Sequence, residues 1–325
     1  MGNHLSINQQ PEYQGDAQRK GRSRASSYTK AKWTIERERE MWPSSLLYPP
    51  PASAFVTAMS VVSFASLASA GLSELRGQHM AYSKFWHVVS GQQQKKGGTG
   101  GVQLSGRDGM LVAYPPALVA ATASFVVPGT VEGLRAELLA AALAVHFLKR
   151  VLEVLFIHRY SGNMPLNTAL TISSSYLLSA ITMIYAQHLA VGLPDPTTDL
   201  LYPGVLLFAV GIAGNFYHHY LLSQLRKGGD DDTGYKIPKG GLFEFVTCPH
   251  YLFEITGFFG FAMISQTVYA LAMAFGTAAY LVGRSFATRR WYESKWNSRR
   301  ASRLWCPISC SVPANWLPAG LSIHK

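Results

Sequence analysis

The chain has 325 residues and is short of charge: Asp, Glu, Lys and Arg make up only 14% of it. An ordinary soluble domain carries about a quarter. Cysteine is nearly absent. Cys248, Cys306 and Cys310 are the whole set, and no two of them form a C-x-x-C pair. That excludes a disulfide framework and the common thiolate metal and redox motifs. There is no G-x-x-x-x-G-K-[ST] loop, no G-x-G-x-x-G turn and no repeat with a period of 20–50 residues. P-loop, dinucleotide-fold and solenoid architectures are therefore excluded. Acidic residues number 18 against 29 Lys and Arg, a formal charge of +11. Such an excess suits an anionic lipid surface or a phosphorylated ligand. With 48% hydrophobic residues, nucleic acid is not the expected partner.

What the chain does have is long apolar runs. Residues 1–40 are polar, with eight basic and five acidic residues, and read as a disordered extension. Their start, "MGNHLS", fits the permissive N-myristoylation pattern. Beyond them, apolar stretches recur at 52–73, 109–128, 134–157, 168–193, 200–222 and 251–288, the third of them charged at its far end. A spanning helix needs roughly 20 such residues. Pro115 and Pro116 interrupt the second run. The last would be about 57 Å long as one helix, too long for a single crossing. It is read as two helices reversing near 265–267. The expected fold is all-α and polytopic, with about seven transmembrane helices.

The loop charges then sort by side. Segments 74–107, 158–167, 223–250 and the chain from 289 hold 17 Lys and Arg. Segments 129–133 and 193–199 hold Glu132, Asp195 and Asp199 and no basic residue. By the positive-inside rule the first set faces the cytosol. The basic segment 1–40 then falls on the wrong side. It is therefore expected to be an extension foreign to the fold, which would begin near Met41.

Ionisable groups inside apolar spans are costly and mark functional sites. Here they gather at the expected cytosolic helix ends. In "AVHFLKRVLEVLFIHRYSGNMPL", His146, Lys149, Arg150 and Glu153 share a helix face. They form either an ion-paired helix end or a cationic wall for a phosphate-bearing ligand. In "GNFYHHYLLSQLRKGG", Asn215, His219 and Arg226 fall on one face. The His218–His219 pair lacks the H-x-x-x-H boxes of membrane di-iron enzymes, and no metal is expected. In "TCPHYLFEITGFFGF", His250, Tyr251 and Glu254 lie within one turn of each other, behind a helix-starting Pro249. "RRWYESKW" closes the series. Together these ends describe a polar pocket between helices that opens to the cytosol.

The order "HFLKRVLEVLFIHRYSGNMPL", "GNFYHHYLLSQLRK", "YKIPKGGLFEFVTCPHYLFEITGFFGF", "RRWYESKW" resembles the steroid 5-alpha-reductase family. It is most similar to the very-long-chain enoyl-CoA reductase branch and its plant relatives. The resemblance covers about 46–296, with the reductase motifs in 144–296. It implies a multi-pass membrane enzyme of the endoplasmic reticulum that uses NADPH to reduce a C=C bond conjugated to a carbonyl. The favoured substrate is a trans-2-enoyl-CoA of very-long-chain fatty acid elongation. Lipid or acyl-CoA substrate, membrane and other elongation enzymes are the implied partners. By the same resemblance Asn215, His219, Arg226, Tyr235, His250, Glu254 and Tyr292 correspond to cofactor-contacting positions. Tyr251 corresponds to the proton donor of the enoyl-CoA branch, and Lys149 and Arg150 are candidate catalytic cations.

The departures from the family pattern are specific. Steroid reductases place a glutamate in the second span and a tyrosine in the third, where this chain has Tyr114 and Phe147. Their Asp in the fifth-span motif is His219 here. After "WYESK", residues 297–325 do not follow the family tail, and an altered splice or reading frame is expected there. Four alternatives stay open: a steroid reductase, a polyprenol-type reductase, an isoprenylcysteine-type membrane methyltransferase, and an inactive scaffold subunit.

Overall fold

The computed structural model describes residues 45–78, 101–160, 162–225 and 238–296. These are mostly helical: α1 (Ala54–Leu75), α2 (Gly106–Ala113), α3 (Pro115–Ala123), α4 (Leu134–Leu152), α5 (Leu166–His188), α6 (Leu201–Gln224), α7 (Pro249–Ser265) and α8 (Val268–Trp296). By length and composition, α1, α5, α6 and residues Val268–Ser294 of α8 are apolar enough to cross a membrane. The other helices fall short of that measure for visible reasons. The second run breaks at Tyr114, where Pro115 and Pro116 start α3 in place of continuing α2. Proline is tolerated there because the first helical positions need no N–H donor. Helix α4 carries Arg135 and Glu137 at one end and Lys149 and Arg150 at the other. Helix α7 is only 17 residues long.

One short β element occurs where a plain loop was expected. Strands β1 (Gln103–Ser105) and β2 (Asn163–Pro165) pair antiparallel, with Leu104 opposite Met164. The pair ties the start of α2 to the start of α5. Ser105 then caps α2: its Oγ accepts from Asp108 N at 3.1 Å and donates to Asp108 Oδ2 at 2.7 Å.

Two helix pairs set the frame. α1 runs against α8, and α6 against α7, each with backbones in near contact. A Cβ added at Gly71 would lie 2.5 Å from Ala279 O, and one at Gly283 would collide with the backbone of Gly71. Likewise a Cβ at Gly211 would meet Gly257 N at 2.5 Å, and one at Gly260 would meet Phe208 N at 2.6 Å. In an apolar solvent helices gain little from hydrophobic association, so close packing at small residues holds them together. The core between the pairs holds Leu139, Leu143, Phe147, Met183, Phe261, Ile264 and Tyr269.

The long run 251–288 does reverse within 265–267. Gln266 adopts a left-handed conformation (φ 49°) and is the one non-glycine with positive φ among the described residues. Its buried amide explains why glycine is not needed. Nε2 donates to Leu46 O (2.6 Å) and Thr198 O (2.9 Å), and Oε1 accepts from Arg135 (2.9 Å) and Leu200 N (3.0 Å). Its backbone O accepts from Tyr48 N at 2.8 Å. Arg135 also bonds Ile264 O and pairs with Asp199 at 2.6 Å. Those bonds offset the roughly 1–2 kcal/mol cost of the left-handed backbone.

Candidate active site

At the opposite end of the bundle from Gln266, three helices bring charge together largely shielded from solvent. α4 ends in a widened π turn, Glu153–Ile157, closed by His158 N donating to Glu153 O at 2.7 Å. Such turns re-aim side chains and occur often at functional sites. Glu153 is fully buried. Its Oε1 lies 3.0 Å from Lys149 Nζ and 3.0 Å from His219 Nδ1, and its Oε2 accepts from Arg150 at 3.1 Å. The same His219 Nδ1 also lies 3.4 Å from the Arg150 guanidinium.

Asn215 is the hinge of the cluster. Its Oδ1 accepts from Lys149 Nζ, and its Nδ2 donates to His250 O (2.7 Å) and Glu254 Oε2 (3.1 Å). One amide thereby joins α4, α6 and α7. Arg150 reaches further, donating to Tyr114 Oη at 2.6 Å. The cations Lys149 and Arg150 are balanced by Glu153 and Glu254, as buried charge requires.

The two adjacent histidines have separate duties. His218 donates from Nδ1 to Gly214 O (2.7 Å), accepts from Leu242 N (3.2 Å) and stacks on Phe253. It pins the 3-10 turn Gly241–Glu244 beneath α6. His219 faces the cluster, with His158 edge-on at 4.7 Å. Burial holds His158 neutral, its pKa pushed down to about 2, helped by His219 and Arg150. Donor atoms of Glu153, His158 and His219 lie within 4.8 Å of one another, a spacing that suits a metal. Both Glu153 oxygens, however, are already held by Lys149 and Arg150.

Beside the cluster lies a cavity of about 380 Å³ between α1, α4, α5, α7 and α8. Its walls are mainly apolar. Phe147, Tyr176, Phe258 and Tyr280 line it, with His146 and Glu254 where it meets the polar groups. Glu254 therefore touches both compartments. Tyr114 and Phe147 pack on one ring, Tyr176: Tyr114 stacks on it at 5.4 Å and Phe147 meets it edge-on at 5.8 Å.

Lys149, Arg150, Asn215, His219 and Glu254 thus come together, with His250 contributing its carbonyl. Tyr251 turns a different way. Spacing alone put Tyr251 and Glu254 on one face, yet the Tyr251 phenol oxygen accepts from Arg284 Nε of α8 at 3.1 Å. Arg284 also pairs with Glu74 of α1 at 2.9 Å and donates to Tyr280 Oη at 3.3 Å. Tyr292 is buried on α8, beside Trp291. Arg226 and Tyr235 lie outside the described residues. Nothing in the local sequence pattern assigns roles to Glu74, Tyr176 and Arg284. Arg284 carried a signal, being with Glu254 one of two charged residues in 251–288.

At the polar end, α7 begins without a side-chain cap. Next to it, buried Thr247 Oγ1 has no hydrogen-bond partner among the described residues, and neither does Ser285 Oγ on α8. Buried polar atoms are normally satisfied, so these two are suited to a polar ligand.

Comparison with known proteins bears on the same segment. Residues 163–305 match the family described as 3-oxo-5-alpha-steroid 4-dehydrogenase. 3-oxo-5-alpha-steroid 4-dehydrogenase 1 of Macaca fascicularis is 39% identical over 165 residues, which are 49% of this chain and 60% of that relative. Very-long-chain enoyl-CoA reductase of Dictyostelium discoideum is 32% identical over 163 residues, 48% of this chain and 53% of the relative. Steroid 5-alpha-reductase DET2 of Gossypium hirsutum is 44% identical over 92 residues, 28% of this chain and 35% of the relative. The chain spans less than two thirds of each. Asn215, His219, His250, Tyr251 and Glu254 lie inside the family match, whereas Lys149, Arg150 and Glu153 precede it.

Proposed function

We propose that this chain, which belongs to the steroid 5-alpha-reductase family, is an NADPH-dependent membrane reductase of a C=C bond conjugated to a carbonyl. The substrate we assign is a trans-2-enoyl-CoA of very-long-chain fatty acid elongation. One observation carries the reading: a buried, charge-balanced polar cluster meets an apolar cavity at Glu254. A lipid tail needs the cavity, and a charged cofactor needs the cluster.

The residues fit the cofactor. Lys149 and Arg150, each paired with Glu153, set a positive edge beside this site. Asn215 and Glu254 offer the mixed donor and acceptor set that an amide requires. Buried Thr247 Oγ1, just before α7, adds an unsatisfied polar group beside them. Arg226, Tyr235, His250 and Tyr292 are assigned to the same site by their place in the family motifs. NADPH, when bound, supplies the hydride.

The chain's own residues do the rest. The cavity excludes water and aligns the lipid tail through Phe147, Phe258 and Tyr280. Negative charge that develops on the substrate carbonyl falls next to the buried cations of α4. Tyr251 delivers a proton to the carbon α to that carbonyl. The reductase domain is assigned to 46–296, with 1–45 and 297–325 outside it. Seven membrane crossings in the endoplasmic reticulum, the cluster facing the cytosol and elongation enzymes as neighbours complete the assignment.

Steroid reduction is the second reading, favoured by the 39% identity to a 3-oxo-5-alpha-steroid 4-dehydrogenase. Against it, Phe147 has no hydroxyl, and the Tyr114 hydroxyl is held by Arg150. The deciding experiment is tritium transfer from labelled NADPH, by purified protein, to enoyl-CoA, 3-oxo-4-ene steroid and polyprenal. Label in the acyl-CoA product supports the first reading, and label in the steroid alone the second. Methyl transfer from S-adenosylmethionine would sink both.

A further inference from the structure

We infer that Arg284, held by Glu74, is the residue that positions the Tyr251 phenol and stabilises the charge left on it after proton transfer. The inference rests on the reductase reading for its chemistry and on geometry for its existence. Arg284 and Glu74 are buried, 8% and 1% exposed, and belong to the frame pair α8 and α1. A buried ion pair is not by itself a net gain in stability, because both charges lose their water. Hydrophobic residues of similar volume would serve packing equally well. Here the pair has a third member. Arg284 uses NH1 for Glu74 Oε1 (2.9 Å) and Tyr280 Oη (3.3 Å), which leaves Nε for the Tyr251 oxygen at 3.1 Å. Lysine has no equivalent planar fork. Glycine at 71 and 283 brings the two backbones close enough for the bridge.

A bound nicotinamide would supply the hydride that goes to the carbon β to the carbonyl. The Tyr251 O–H bond breaks, its electron pair stays on the phenol oxygen, and a C–H bond forms at the α carbon. The phenolate so produced is met by the Arg284 guanidinium and recovers its proton from solvent. Hydrogen bonds to charged partners are about twice as strong as neutral ones, so the Arg284 bond strengthens as that charge develops. Such a bond lowers the barrier to the chemical step and not only the substrate complex. Glu74 keeps the guanidinium aimed and neutralises it in the resting enzyme. The cavity wall is included through Tyr280, which lines it.

The test is a double-mutant cycle on the full chain in nanodiscs. It reads single-turnover NADPH oxidation with trans-2-enoyl-CoA, next to the 13C-zeta tyrosine resonance that disappears in Tyr251→Phe. Arg284→Gln is expected to slow the wild-type enzyme by about 10- to 100-fold, the range for losing a hydrogen bond to a charged group. In the Tyr251→Phe background it should add less than about twofold. Arg284→Lys should recover part of the rate, and Arg284→Gln should shift the Tyr251 resonance. Equal fold-losses in both backgrounds, or an unmoved resonance, would overturn the inference. Wild-type protein that oxidises no NADPH on any substrate sinks the reductase reading instead. The resonance then still decides whether Arg284 holds Tyr251.

Discussion

The two ends of this helix bundle bury polar groups for different purposes. At the Gln266 end one neutral amide makes four side-chain hydrogen bonds, three of them to backbone. It fixes the α7–α8 reversal, the approach to α1 and the start of α6. At the Asn215 end one neutral amide is again central, but its partners are Lys149, Glu254 and a carbonyl. The first arrangement satisfies backbone groups that the fold leaves over, and its one ion pair, Arg135–Asp199, ends on an exposed carboxylate. The second holds charge, which a fold does not need and which costs solvation to bury. Buried polarity that serves only the chain closes on the backbone, whereas polarity kept for a ligand is concentrated in ionisable side chains.

Substitutions can break that contrast. The largest effect is expected for Glu254→Gln, which keeps shape and removes the charge shared by cluster and cavity. kcat/KM for NADPH should fall about 100-fold in the protein that remains folded, and the melting temperature should fall too, because Lys149 and Arg150 lose a balancing charge. An unchanged kcat/KM would remove Glu254 from the site. Tyr251→Phe should lower kcat more than about tenfold while NADPH affinity stays nearly intact. Unaltered turnover would show that the proton comes from elsewhere.

Gln266→Leu should do the reverse. It strands Arg135, Leu200 N and two carbonyls, for about 2–4 kcal/mol of stability, while the protein that remains folded keeps its kcat. Thermal unfolding in detergent checks it, and a full loss of kcat in folded protein would erase the distinction between the ends.

The smallest effect is in pH. Tyr48 donates to Asp195 at 2.7 Å. Burial, and then that bond, push its pKa up to about 12. A raised phenol contributes stability below about pH 10, and loses it as pH rises toward 12. The Leu201 N–H, and then Arg135, hold the Asp199 carboxyl below the usual range. Its contribution is present above about pH 4 and is lost as pH falls through the depressed value. The stability gap between wild type and Tyr48→Phe should therefore close only in strong base. The gap to Asp199→Asn should close only in acid. A gap that closes near neutrality in either case would contradict these assignments.

Local pattern made part of this visible in the sequence. Lys149, Arg150 and Glu153 stand three and four residues apart, so a helix alone brings them together. The break near 265–267 was forced by length, since one helix of about 57 Å exceeds a bilayer core. The clustering of polar residues at helix ends located the candidate site. Other features had no local signal. Ser105 and Asn163 lie far apart in the chain, and nothing in either tripeptide declares a strand. Gln266 is an ordinary residue until Leu46, Arg135, Thr198 and Leu200 surround it. Tyr251 and Glu254 satisfy the spacing rule, yet one meets α8 and the other α6. A helical face of i and i+3 residues is wide enough to serve two neighbours.

The sequence by itself determined that this chain is helical and apolar, which residues carry ionisable groups and at which helix ends. Those follow from hydrophobic run length and from the 3.6-residue period. Only the tertiary structure decided which charges meet. Glu74 and Arg284 lie 210 residues apart, and they pair because glycines at 71 and 283 let two helix backbones touch. Pairing of buried charge depends on distance and exclusion of water, and packing sets both.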